Sequence, residues 1–198
     1  MNKINELNNR KLISCSDDFS VIIYSKDNNK YTKDYKIATN GYCYCVIQTK
    51  ENEICYDEFH TIDNHSICFY DLLGQHVIKK INNLGLSGWN NSLNMISEDL
   101  LLITGKDKLY IINVNQYNFI RIINVPGSSF IVVSYILNKS IFLTADFNEN
   151  IKQWRIEGNN LKLISTRKNA HNGSILSLIK LRDGHILSGS LSGEIKIW

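Results

Sequence analysis

One short pattern returns five times along the 198 residues, and it limits the fold more than any other feature of the chain. The last copy is the clearest: His185-Ile-Leu-Ser-Gly-Ser-Leu-Ser-Gly-Glu-Ile-Lys-Ile-Trp198, a short apolar strand, a turn of Ser and Gly, then an alternating strand that closes on an aromatic. Residues 140–154 and 11–24 have the same shape, and residues 53–70 and 100–112 are weaker copies. The copies close on Tyr24, Tyr70, Ile112, Trp154 and Trp198, spaced by 46, 42, 42 and 44 residues. A near-constant period in the forties, built of strands and turns, fits four-stranded propeller blades. Helical repeats of that length need two stretches of 3.6-residue periodicity per unit. The β-branched segments here alternate with period two, which is the signature of strands.

These units resemble the WD-repeat family, whose repeats close on an apolar-x-apolar-Trp-Asp strand. Tyr70-Asp71 and Ile112-Asn113 keep a version of the last two positions, and Trp154-Arg155 keeps the first. The family's Gly-His pair ahead of the innermost strand is echoed by Ala170-His171. Its turn Asp falls on Asp18, Asn148 and Ser192. The resemblance therefore implies that His171, Ser188 and Trp198 take part in the family's buried hydrogen-bond network, with Ser192 in place of its acid. It spans nearly the whole chain and implies one all-β region over residues 1–198, a propeller of about five four-stranded antiparallel blades.

Inner strands are expected at residues 42–49, 93–97, 130–137 and 174–181, and outer strands at 31–37, 75–81, 119–125 and 161–165. Residues 4–7 align with 178–181, so the first blade is expected to lack part of its inner strand and the fifth its outer one. Circular closure leaves only short protected edges, and family members usually close with an N-terminal segment. The expectation is a part of a longer propeller, with a five-bladed, imperfectly closed ring as the competing reading and self-association as a consequence of an incomplete ring.

The 22 Lys and Arg against 19 Asp and Glu leave a net charge of +3, with no basic cluster longer than Lys79-Lys80 or Arg167-Lys168. Phosphate binding needs clustered basic residues on one face, so nucleic acid is not an expected partner. No window approaches the roughly 18 apolar residues of a membrane helix, and residues 1–20 do not read as a signal peptide. Five cysteines in the first third or so do not form a disulfide framework, which points to a reducing compartment, cytoplasm or nucleus.

Several groups invite a chemical reading. Cys55, His60, His65 and Cys68 supply zinc-type ligands, but structural sites use tighter pairs with a longer spacer. The preferred reading is a hairpin with two core cysteines and two exposed loop histidines. Cys43 and Cys45 share a face of an alternating strand and read as packing. Asp17-Asp18 and Asp57-Glu58 read as solvated turns. No nucleophile elbow or phosphate loop occurs: Gly85-Leu-Ser-Gly88 lacks the necessary Lys. The polar residues expected at inner-strand starts (Asn40, Ser92, Ser128 and Asn172) are neutral and form no acid–base pair. Catalytic, cofactor and metal residues are accordingly none. Trp89, outside the repeat frame, is a candidate surface anchor, and the turn at residues 59–65 a candidate binding loop. The class implied by the resemblance is a non-enzymatic scaffold with a protein or peptide partner. The alternative is the non-catalytic propeller portion of a larger kinase, ubiquitin-ligase or trafficking protein.

Overall fold

The computed structural model describes residues 1–28, 30–61, 64–82, 84, 92–125, 127, 130–158 and 160–198. The chain divides into two compact units, Met1–Gly88 and Trp89–Trp198. The first unit holds two antiparallel sheets: β1 (Lys3–Glu6), β2 (Leu12–Ser16), β3 (Ser20–Asp27) and β4 (Lys30–Ala38), then β5 (Val46–Lys50), β6 (Glu53–Thr61), β7 (Asn64–Asp71) and β8 (His76–Asn82). The second unit holds three: β9 (Leu93–Met95) to β12 (Asn118–Asn124) through β10 (Leu100–Thr104) and β11 (Lys108–Asn113); β13 (Ile131–Asn138), β14 (Ile141–Asp146), β15 (Ile151–Glu157) and β16 (Asn160–Arg167); and β17 (Ile175–Lys180), β18 (Ile186–Ser190) and β19 (Ile195–Ile197). Strands that follow one another in sequence are neighbours in every sheet.

Alternation along the strands decides how the sheets pack. Ile13 and Cys15 on β2 lie opposite Ile23 and Val21 on β3, so all four share one face. That face meets Val46, Ile54, Tyr56, Cys68 and Tyr70 of the second sheet in a single buried cluster. In the second unit Phe142 and Leu143 are sequence neighbours on β14 and point to opposite faces. Phe142 packs with Trp154, Leu102 and Ile111 towards the third sheet. Leu143 joins Ala145, Ile151, Ile175 and Leu178 towards the fifth. Full burial of each such aliphatic side chain contributes about 1.5–3 kcal/mol. The outer strands β4, β8, β12 and β16 are mostly exposed.

The repeat is written into the ladders as well as the sequence. A β-bulge interrupts the pairing of third and fourth strands immediately before Tyr24, Tyr70, Ile112 and Trp154. These are the closing residues that define the period. A bulge inserts one residue and sharpens the local twist, and here it falls at the same step in four sheets.

Three expectations need correction. The first sheet has a complete four-stranded ladder, because Lys3–Glu6 pairs with β2 along its whole length. The strand expected at residues 42–49 begins only at Val46, preceded by an isolated Tyr42–Phe59 bridge. The cause is the buried Asp57 carboxylate, which accepts the backbone N–H groups of Tyr44 (2.8 Å) and Cys45 (2.7 Å) and draws that segment out of the ladder. Asp57 and Glu58 are thus not a solvated turn; both are buried on β6. The fifth sheet has three strands among the described residues, as expected.

Candidate functional site

His171 is buried ahead of β17, and its Nε2 lies 2.6 Å from Ser188 Oγ on β18. Ser188 Oγ also accepts the indole N–H of Trp198 at 2.7 Å. On the other side of the ring, Nδ1 lies 3.3 Å from Glu194 Oε2. The assignment that satisfies every group has Ser188 donating to Nε2 and Nδ1–H donating to Glu194. The acid of this network is therefore Glu194, and Ser192 does not stand in for it: Ser192 bonds to Ser190 at 2.7 Å instead. Glu194 also accepts the Asn172 backbone N–H at 2.9 Å, which with nearby Lys196 holds its carboxyl below the usual carboxylate range.

Serine, histidine and acid in this order have the connectivity of a hydrolytic triad, but not its access. Nucleophilic catalysis needs a hydroxyl that substrate can reach, and Ser188 is 1% exposed with its oxygen already engaged by the indole. The network ties the last connection to the second and third strands of its sheet. The fourth sheet repeats part of the tie, with Trp154 Nε1–H donating to Thr144 Oγ1 at 2.9 Å.

The cysteine and histidine group of the second sheet is also a packing feature. Cys55 and Cys68 are buried on facing strands, and burial pushes both thiols up, Cys68 to about 12. His65 is wholly buried, not an exposed loop residue, and His60 is partly exposed beside Glu58. Among the described residues no three His, Cys, Asp or Glu side chains are placed to hold a metal ion. Cys43 and Cys45 are both buried. The turn at residues 59–65 is mostly hairpin: β6 runs to Thr61 and β7 starts at Asn64, with residues 62–63 outside the described ones. Trp89 and Ser128 also lie outside the described residues. Of the inner-strand polar residues, Ser92 is buried and bonded to Ser134 (3.1 Å), whereas Asn40 and Asn172 are exposed.

What the sequence reading missed is an aromatic surface at one rim of the first unit, where the β2–β3 turn, the β4–β5 connection and the β6–β7 hairpin come together. Phe19 and Tyr42 have ring centroids 4.9 Å apart. Tyr42 and Tyr44 in turn flank Phe59, at 6.1 and 5.8 Å. Phe59 packs on His65 at 4.5 Å. The base is buried and the top is not: Phe59 is 9% exposed, Tyr42 38% and Phe19 46%. Gly41 makes the close approach possible, since a Cβ there would stand 2.5 Å from the Phe59 carbonyl oxygen. Tyr42 and Phe59 then exchange backbone hydrogen bonds at 3.0 and 2.8 Å. The Asn2 amide clamps the edge, donating to Asp17 Oδ1 (2.7 Å) and to the Cys43 carbonyl (3.0 Å) between the two tyrosines. Desolvation, then the carboxylates of Asp17 and Asp57, pushes the Tyr44 phenol up to about 12. This surface is partly apolar and bordered by negative charge. Phe59 belongs to the candidate binding loop, but Phe19 falls at an unmarked position of its repeat copy and Tyr42 and Tyr44 lie in a connection, so periodicity gave no sign that they meet.

No protein-family profile and no curated protein sequence matches the chain. Solved structures do. Over 99% of its length the chain is similar to the WD40 beta propeller domain of Doa1, at 20% identity with a TM-score of 0.75. Over 100% of its length it is similar to the beta-propeller domain of Myceliophteria thermophila Cps50 (Swd1), at 13% identity with a TM-score of 0.76. The chain spans 64% of the first of those chains and 68% of the second. At these identities the likeness speaks for the fold alone. Five antiparallel sheets of a repeating period, a bulge at each repeat's closing residue in four of them, and this likeness give the conclusion: the chain has the WD40-type β-propeller fold.

Proposed function

We propose that this chain is a non-enzymatic interaction scaffold of the WD-repeat type, and that it takes a protein or peptide partner on the rim formed by Phe19, Tyr42 and Tyr44. The observation that carries the reading is the exposure of two aromatic rings in tilted contact on a base held by Gly41, Asn2 and Phe59. Aromatic side chains supply large contact area at small cost in conformational entropy and are enriched at binding hot spots. Among the described residues, the serine and histidine of the set that resembles a catalytic triad are buried, with Ser188 engaged by Trp198. A photo-crosslinking phenylalanine analogue in place of Tyr42, with the same analogue at exposed Leu73 as control, tests the reading in cells. Discrete adducts are expected from position 42 alone. Equal or absent adducts at both positions would overturn it.

A second reading is favoured by the coverage of the solved propellers, of which the chain spans 64% and 68%. In that reading these blades are the non-catalytic propeller portion of a larger protein, such as a kinase, ubiquitin-ligase or trafficking component. An immunoblot of the natural product decides it: a mass well above that of these 198 residues supports the larger protein, and a mass near it removes this reading. No helix among the described residues is long and apolar enough to cross a membrane. A reducing compartment, cytoplasm or nucleus, is supported by five cysteines that are all buried free thiols.

A further inference from the structure

The rim also indicates what its partner carries. We propose that the Phe19–Tyr42–Tyr44 face binds the guanidinium of an arginine on a partner peptide, with Asp17 as its counter-charge. The inference rests on the scaffold reading and adds the chemistry of recognition.

The backbone of Phe19 is the first support. It lies in the left-handed region at φ 58°, at a turn position where the fourth and fifth sheets place Glu149 (φ 63°) and Gly193 (φ 83°). A bulky side chain there is strained, and burial does not offset the strain, because nearly half of Phe19 faces solvent. What the backbone conformation achieves is the ring's position beside Tyr42.

The local charge is the second. Asp17 is exposed beside Tyr44 and accepts a hydrogen bond from a neutral amide, that of Asn2. Two nearby lysines are engaged elsewhere: Lys36 lies 4.0 Å from Asp18, and Lys80 faces Glu58 at 2.5 Å. Aromatic faces with a carboxylate at their border attract a cation. A guanidinium suits them better than an ammonium, because it is planar, weakly hydrated and able to stack and bond to a carboxylate together.

The second unit supplies an internal counterpart. There Phe130, in the connection equivalent to that of Tyr42, packs on the turn residue Phe147 at 5.5 Å and carries the Lys106 ammonium 5.6 Å above its ring. Phe130 thus already meets a cation, from its own chain, at the position equivalent to Tyr42, while its ring partner Phe147 matches Phe59 rather than Phe19.

The test is a titration of the whole chain, with tyrosine and phenylalanine rings isotopically labelled, by N-acetyl-arginine amide, N-acetyl-lysine amide and N-acetyl-norleucine amide. Arginine is expected to shift the Tyr42, Tyr44 and Phe19 ring resonances saturably, lysine more weakly, and norleucine not at all. Asp17→Asn should weaken arginine binding by roughly three- to tenfold. Phe19→Asn relieves the backbone strain, so it should weaken binding while leaving the unfolding temperature unchanged or higher. Equal shifts from norleucine would show a merely apolar face. Those shifts, unchanged affinity in Asp17→Asn, or arginine shifts that never saturate each overturn the inference. If adducts still form from position 42, the scaffold reading stands and only the arginine assignment falls.

Discussion

Ser188 satisfies two groups with one hydroxyl, donating to the buried His171 and accepting from the half-buried Trp198. Ser188→Ala leaves both without that partner and should destabilise the chain by about 1–3 kcal/mol in denaturant unfolding. A catalytic serine behaves differently, since its loss removes turnover and often spares stability. Glu194 gives the same network a pH dependence. Its carboxyl sits below the ordinary value of 4.5 in the folded chain, chiefly through the Asn172 N–H. Its contribution is therefore fully present above that value and is lost as pH falls through the lower folded value. Wild type and Glu194→Gln should differ in stability by a constant amount near neutrality, and the difference should shrink in acid. A difference that grows in acid contradicts this assignment. His171, Ser188 and Trp198 were legible in the sequence, because the family pattern fixes their spacing. Glu194 was not: the pattern looks for an acid earlier in the turn, and this one stands two residues later, immediately before the closing strand.

At the scale of elements, period-two alternation located most strands to within a residue or two, and its failures have local causes. The segment before β5 alternates as a strand should, yet Asp57 captures the N–H groups that would have joined the ladder. Asp57 and Glu58 resemble turn residues by type, and only tertiary partners reveal them as buried acceptors, with the Asn40 N–H donating to Glu58 at 3.0 Å. Residues 59–65 read as a loop because His and Asp interrupt the pattern, whereas the ladder continues with Phe59 opposite His65 and Thr61 opposite Asn64. The distinction is measurable. Replacing only residues 60–64 by Gly-Asn leaves Phe59 and His65 to flank a short hairpin and should preserve folding. Replacing all of residues 59–65 removes the ring beneath Tyr42 and Tyr44 and should cost about 3–5 kcal/mol, as loss of a buried aromatic does. Equal stability of the two replacements, measured by thermal unfolding, would sink this account of the hairpin.

For the molecule as a whole, the fifth sheet differs from its siblings in its outer edge. Trp198 and Ile186 exchange both of their backbone bonds, so the alternate residues of β19 turn their N–H and C=O groups away from β18. On one face of this sheet Ile179, Leu187 and Ile197 line up across the strands, and Ile195 extends the row. Ile195 is 72% exposed and Ile197 61%. Among the described residues no strand pairs with the outer edge of β19, and an apolar edge strand left so is a template for pairing with another chain, which native sheets usually blunt with charge, Pro or a covering segment. The sole charge on this strand, Lys196, is turned inward, its ammonium donating to the Ala170 carbonyl at 2.9 Å. Concentration-dependent self-association of the purified chain is therefore expected in sedimentation experiments. Replacing Ile195 and Ile197 together by Lys should suppress it, whereas Leu73→Lys, an equally exposed change in the first unit, should not. If the wild-type chain sediments as one monomeric species at every concentration, the β19 edge is not an associating surface, and the rim of the first unit remains the place to seek a partner.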